Sequence, residues 1–271
     1  MKKTTTIALA ALTALSTLAI AGEGGQADVI LEDGNSSASF NADGQFSWTV
    51  DGVDHLYAQE FHFRLAGDND ERNLNTLTLL GQAVNDTNPF SDDRDDSISS
   101  LYGDSATGLE IETIFTLRGG NAGSGQGDLA EQIALTNNGN ETITLSFFQF
   151  VDFDLGDSSD GDSGQIVDGN IAQQWDGEFA LSEVVVTPAP TLFQIGTYSD
   201  ISDIFGNGVV DNLNGDSSIE DSDVSWAFQW NITLEAGDSF LISKNKSIVP
   251  APGSLALLAT GGIFATRRRR S

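Results

Sequence analysis

From Leu109 to Leu117 the chain alternates in side-chain character. Leu109, Ile111, Thr113, Phe115 and Leu117 fall on one side, and Glu110, Glu112, Ile114 and Thr116 on the other. Successive side chains of a β-strand point to opposite faces, so this period specifies a half-buried strand and excludes an amphipathic helix. The same period recurs along the chain, and helical periodicity is nearly absent. Between the runs lie Asn, Asp and Gly, which accept the backbone angles of tight turns. Asn41-Ala42-Asp43-Gly44 separates Ser37–Phe40 from Gln45–Val50, and Asn137-Asn138-Gly139-Asn140 separates Leu129–Thr136 from Glu141–Phe150. Both predict β-hairpins, the second more strongly. Further strands are expected at Phe179–Val186, Leu192–Tyr198, Val224–Leu234 and Ser239–Ser243. With no internal repeat and no long linker, the pattern predicts an all-β fold, a single antiparallel β-sandwich of jelly-roll type.

Two segments, Trp48-Thr49-Val50-Asp51-Gly52-Val53-Asp54 and Leu135-Thr136-Asn137-Asn138-Gly139, resemble the strand style of mutarotase-like domains. That resemblance implies their larger supersandwich as the alternative architecture. Trp226, Phe228 and Trp230 share one strand face. Three rings so placed are expected to be core, because each buries a large area; a sugar-stacking platform is the alternative.

Both termini read as addresses. Met1-Lys2-Lys3, the uncharged run Ile7–Ile20 and the small-residue site Ala19-Ile20-Ala21 predict a signal peptide over 1–21, removed by signal peptidase. The β-sandwich body is then expected over 22–247. The segment 248–271 carries Val249-Pro250-Ala251-Pro252, an apolar stretch, and Arg267, Arg268, Arg269 and Arg270 before Ser271. This order resembles the PEP-CTERM sorting signal, in a variant with Pro-Ala-Pro at the motif. The resemblance implies processing by an exosortase-type membrane protease. It further implies a C-terminal hydrophobic helix held transiently in the inner membrane, then a place at the cell surface or in an exopolysaccharide matrix. Ser239–Lys246 is similar to the Ser-Lys-Asp-Lys ending of such bodies.

Charge narrows the partners. The chain has 40 acidic and 12 basic residues, and six of the basic ones lie in the two terminal segments. A surface this negative repels phosphate backbones, which excludes nucleic acid as an expected partner and makes divalent cations the natural counter-charge. Without cysteine there is neither a disulfide nor a thiol nucleophile.

The search for chemistry finds fragments. Gly161-Asp162-Ser163-Gly164 matches part of a serine-protease motif, but His55 and His62, the only histidines, lack that family's surroundings. Asp152-Phe153-Asp154 sets two carboxylates on one strand face, as glycosidases of the jelly-roll type do, with Asp where those families use Glu. Hard cations favour oxygen-rich loops, and two such loops make calcium the expected cofactor. One loop offers Asp157, Asp160 and Asp162. The other offers Asn212, Asn214, Asp216 and Asp223 in a spacing that partly resembles an EF-hand or dockerin loop, departing from it at Asn212 and at Ser217. Asp92–Asp96 is expected to be a solvated loop, and Gly119–Gly127 a mobile loop between strands.

The first expectation is therefore a non-enzymatic envelope or extracellular-matrix protein binding polysaccharide through calcium. The alternative is a glycosidase-like, polysaccharide-active enzyme using Asp152 and Asp154, with the Trp226 strand lining its cleft. A module without a ligand is the third reading.

Overall fold

The alternation at Leu109 is realised as the strand Leu109–Gly119, whose apolar side is fully buried up to Leu117. A computed structural model describes residues 28–251. The signal segment with Ala19 and Ala21, expected as an N-terminal signal helix, and the tail with Pro252, Arg267, Arg268, Arg269 and Arg270, expected as a C-terminal hydrophobic helix, lie outside the described residues. Among the described residues no helix is long and apolar enough to cross a membrane.

Two nine-stranded antiparallel sheets face each other. The first runs in the order Val29–Asp33, Ser36–Phe40, Gly44–Val50, Ala58–Leu65, Ile143–Asp152, Val224–Leu234, Leu192–Thr197, with Val53–Asp54 and Arg72–Asn73 at its side. The second runs Ser218–Ser222, Asp162–Val167, Ile171–Trp175, Phe179–Thr187, Ser239–Pro250, Gly127–Asn137, Leu109–Gly119, Ser97–Asp104, Thr78–Asn85. The expected antiparallel sandwich is therefore present. Between the sheets Trp48, Phe63, Phe147, Trp226, Phe228 and Trp230 are sealed from solvent, so the aromatic strand is core and lines no cleft.

The hairpin predicted at Asn41 forms, and Asn41 Oδ1 accepts the amides of Asp43 and Gly44 at 2.9 and 3.2 Å. The one predicted at Asn137 does not. Gly127–Asn137 belongs to the second sheet and Ile143–Asp152 to the first, so this segment is an arch between sheets. Asn137 is buried and its amide bridges the layers, donating to the carbonyls of Glu141 at 2.8 Å and Leu234 at 3.0 Å. The Gly119–Gly127 loop joins two paired strands as expected, but it is pinned: the Asp51 carboxylate accepts the amides of Gly123 and Gly125 at 2.6 and 2.8 Å.

The last strand runs on through Ile248, Val249 and Pro250, which pair with Phe179–Leu181. The buried Ala251 then donates its amide to Glu178 O at 2.7 Å. The sheet thus carries the chain past the boundary expected at 247.

The interior also holds charge. Lys244 and Lys246 of Ser239–Pro250 lie beside Glu131 and Glu183, all four without solvent access to their side chains. Lys244 Nζ is 2.6 Å from Glu131 and 3.1 Å from Glu183. The first sheet completes the network through Gln149, which donates to Glu183 at 2.8 Å, and Trp226, whose indole N–H does so at 2.8 Å. Burial pushes the Glu183 carboxyl up, but the two ammonium groups outweigh it and hold the carboxyl below its ordinary value.

The outer face of the first sheet is covered by the helix Tyr198–Gly206, capped by Thr197 and packed through Ile201 and Ile204 on Phe150 and Ala227.

Candidate active site

Three carboxylates converge where two central strands of the first sheet begin and end. Asp152 closes Ile143–Asp152, Asp223 immediately precedes Val224–Leu234, and Asp154 follows in the turn. One oxygen from each lies within 4.8 Å of the others. The antiparallel register sets Asp152 opposite Ser225, which brings Asp223 alongside. The turn is fixed by left-handed Gly156 and Asp157, at φ +69° and +64°; Asp157 N donates to Asp154 O at 3.1 Å and Gly156 N to His55 Nδ1 at 3.1 Å. Backbone bonds also tie two tyrosines to the site, Tyr57 N to Asp152 O and Tyr198 N to Asp223 O, each at 3.1 Å. Their rings meet edge to face at 5.7 Å, and Tyr57 is 56% exposed.

Burial pushes all three carboxyl groups up. It raises Asp152 to about 7, against the Ser225 hydroxyl that donates to its Oδ1 at 2.7 Å; Asp223, Asp154 and Asp162 push the same way as burial. The half-buried Asp154 is raised by burial and by Asp223, Asp157, Asp54 and Asp160. Asp223 is raised by burial and Asp160, and its Oδ1 is buried with no hydrogen-bond partner. Burial also lowers His55, against the pull of Asp54, Asp176 and Asp157.

The residues expected to bind calcium are redistributed. Asp157 and Asp160 are exposed on the loop after Asp154, near enough to raise it. Asp162 is buried at the start of its strand, accepts the Gln174 side-chain amide, and is raised to about 6 chiefly by burial. The loop expected over 212–223 does not close around one point. Ser218–Ser222 pairs with Asp162–Val167, and Ile219 packs on the core. Asn212 Oδ1 instead accepts from Arg64 at 2.9 Å and Gln229 at 2.8 Å, while Asn214 and Asp216 bond to each other at 2.7 and 2.8 Å. Of that loop only Asp223 reaches the cluster. Ser163 of the protease-like fragment accepts the Asp221 amide at 3.3 Å. Tyr57, Tyr198 and Ser225 were not expected here from the sequence; the alternation of Asp223 and Ser225 at a strand start signals Ser225, and the tyrosines arrive through tertiary backbone bonds.

The chain matches no protein-family model and no curated protein. Its fold is shared with solved structures. A galactose mutarotase related enzyme from Lactobacillus acidophilus superposes with TM-score 0.52 at 11% identity, over 83% of this chain and 97% of that one. A galactose mutarotase-like protein from Lactobacillus casei gives 0.51 at 9%, over 82% and 100%. A bacterial glucoamylase complexed with acarbose gives 0.57 at 8%, over 89% of this chain and 35% of its own, so the chain spans about a third of that enzyme.

The architecture is thus the mutarotase-like sandwich, the alternative to the jelly roll. The comparison also counts against the expectation of a non-enzymatic matrix protein, since the fold is shared with structures named as a mutarotase related enzyme and a glucoamylase.

Proposed function

We propose that this chain is a carbohydrate-active enzyme whose acid–base group is Asp152 and whose nucleophile is Asp154. The carrying observation is the convergence of Asp152, Asp154 and Asp223 within 4.8 Å beside exposed Tyr57. A separation this short suits a double displacement, in which carboxyl groups sit about 5 Å apart, and leaves no room for the water of an inverting enzyme. Buried Asp152 keeps its proton near neutrality and acts as general acid, giving it to the leaving glycosidic oxygen as the C1–O bond breaks. Asp154, more open to solvent, ionises more readily and bonds to C1. Water then releases the sugar, with Asp152 taking its proton. Asp223 holds the proton on Asp152 by its negative charge, and the Tyr57 ring offers a face for a pyranose. The mutarotase and glucoamylase names of the fold neighbours support a sugar substrate. The terminal segments of the sequence support action outside the inner membrane.

Calcium is the competing occupant, favoured by the unpartnered Oδ1 of Asp223. Oxygens about 2.3–2.6 Å from one ion lie at most about 5 Å apart, which the cluster satisfies.

Turnover of a panel of polysaccharides and aryl glycosides separates the two. Asp154→Asn is expected to abolish hydrolysis of every substrate. Asp152→Asn is expected to abolish it for polysaccharides but spare aryl glycosides whose leaving group needs no proton. No turnover by the unsubstituted protein, together with calcium binding lost in both variants, overturns the enzymatic reading.

A further inference from the structure

Across the two sheets, three side chains meet in an arrangement that the sugar chemistry does not use. Gln59 lies on Ala58–Leu65 of the first sheet, Glu131 and Lys246 on neighbouring strands of the second, and their exposures are 0%, 1% and 0%. Lys246 Nζ touches both Gln59 Oε1 and Glu131 Oε1. The other carboxylate oxygen of Glu131 accepts the Gln59 side-chain N–H at 3.0 Å. The orientation of the carboxamide is fixed by chemistry, since a carboxylate accepts only from its NH2 end and an ammonium donates only to its oxygen. One carboxylate therefore bridges an amine and the nitrogen that would leave if that amine attacked the carboxamide carbon.

We propose that Lys246 and Gln59 become joined by an intramolecular amide bond, with Glu131 as the proton carrier. The step balances without any further reagent. Glu131 takes a proton from the Lys246 ammonium, the free amine attacks Gln59 Cδ, and a new Nζ–Cδ bond forms. The Cδ–Nε2 bond breaks, and the proton displaced from Nζ passes through Glu131 to Nε2, which leaves as ammonia. Glu131 ends as a neutral acid beside the new amide.

Four features favour this course over a resting ion pair. Two opposite charges held out of water carry a large desolvation cost, which the reaction removes by turning both into neutral groups. Lys244 and Glu183, 3.1 Å apart, remain as a balanced pair, so no uncompensated charge is left behind. Burial lowers the pKa of Lys246, against Glu131 and Glu183, which raise it, and so favours the nucleophilic amine. A dry site also excludes the water that would otherwise compete for the carboxamide carbon.

The consequence is a covalent tie between layers across 187 residues of chain, in a protein without cysteine. Peptide mapping by mass spectrometry tests it on the purified, folded, full-length protein. The expected product is a branched peptide joining the segments around Gln59 and Lys246, lighter by one ammonia than the two together, with no tryptic cleavage after Lys246. Glu131→Ala and Lys246→Arg are each expected to yield linear peptides only. Should Glu131→Ala fail to fold, Lys246→Arg, which keeps the positive charge, serves as the control. Linear peptides alone from the unsubstituted protein after prolonged incubation in the folded state would make the triad an ion pair and overturn the proposal.

Discussion

Ser225 donates its hydroxyl to Asp152 Oδ1 at 2.7 Å across neighbouring strands, with both residues nearly sealed from solvent. This is the bond that opposes burial at Asp152, because it stabilises the ionised carboxylate. In Ser225→Ala the carboxyl is expected to hold its proton more tightly, by about one pKa unit for a lost bond to a charged acceptor. A carboxyl-carbon NMR titration of Asp152 reads the change, and a titration moved downward would contradict the assignment of the hydroxyl as donor.

Asp152 also sets a slope of stability against pH. Burial pushes its carboxyl in the folded chain up to about 7, from an ordinary value of 3.8. Between those values the unfolded chain has lost a proton that the folded chain keeps, so stability falls as pH rises through this window and stays reduced above it. At about 1.4 kcal/mol per unit, the whole effect is on the order of a few kcal/mol. Asp152→Asn keeps the shape without the charge and is expected to remove this loss. Urea melts should find the variant gaining on the parent from about pH 4 to pH 8, and an unchanged difference would count against a protonated Asp152.

Lys244 bridges two buried carboxylates, at 2.6 Å from Glu131 and 3.1 Å from Glu183. Lys244→Met preserves much of the volume but leaves those acids facing each other with less positive charge. The expected cost is about 3–5 kcal/mol, the usual consequence of breaking a buried pair from one side. Denaturant unfolding measures it, and a loss below about 1 kcal/mol would mean that water or a proton compensates freely.

The arch between the sheets leans on a glycine contact. Gly108 has φ +79°, and a Cβ there would stand 2.4 Å from Gly139 N. Gly108→Ala therefore combines left-handed strain of about 1–2 kcal/mol with a backbone clash. The arch should loosen, detectable as faster amide exchange at Asn137 and Asn138 and a lower melting temperature. Unaltered exchange would show that the arch tolerates displacement.

What the sequence disclosed follows from how local each signal is. Leu109–Gly119 was legible because one face is wet and the other dry, which writes the period into the residues. The Asn41 turn was legible for the same reason, since its partners are adjacent. At Asn137 the turn chemistry was read correctly but the pairing was not: Asn and Gly say that the chain bends, and nothing in four residues says which sheet receives the next strand. Lys244 and Lys246, set among Ser243, Asn245 and Ser247, look polar on both faces. Their burial is decided by Glu131 and Glu183, far away along the chain. Asp152 and Asp154 were visible as a pair; Asp223 joined them only through the register of Ile143–Asp152 with Val224–Leu234. Of the acidic loop over 212–223 only Asp223 reaches the cluster, since Ile219 packs on the core and its neighbours form a strand.

The strand Ser239–Pro250 lies in the middle of its sheet, hydrogen-bonded to Gly127–Asn137 on one side and Phe179–Thr187 on the other. Until it arrives, two groups of strands face an open gap, and each presents an unpaired edge that invites another chain. A polypeptide emerging vectorially therefore cannot close this sheet until Ser239–Pro250 has been delivered. Truncations ahead of Ser239 should yield sticky, protease-sensitive fragments rather than smaller folded versions of the molecule.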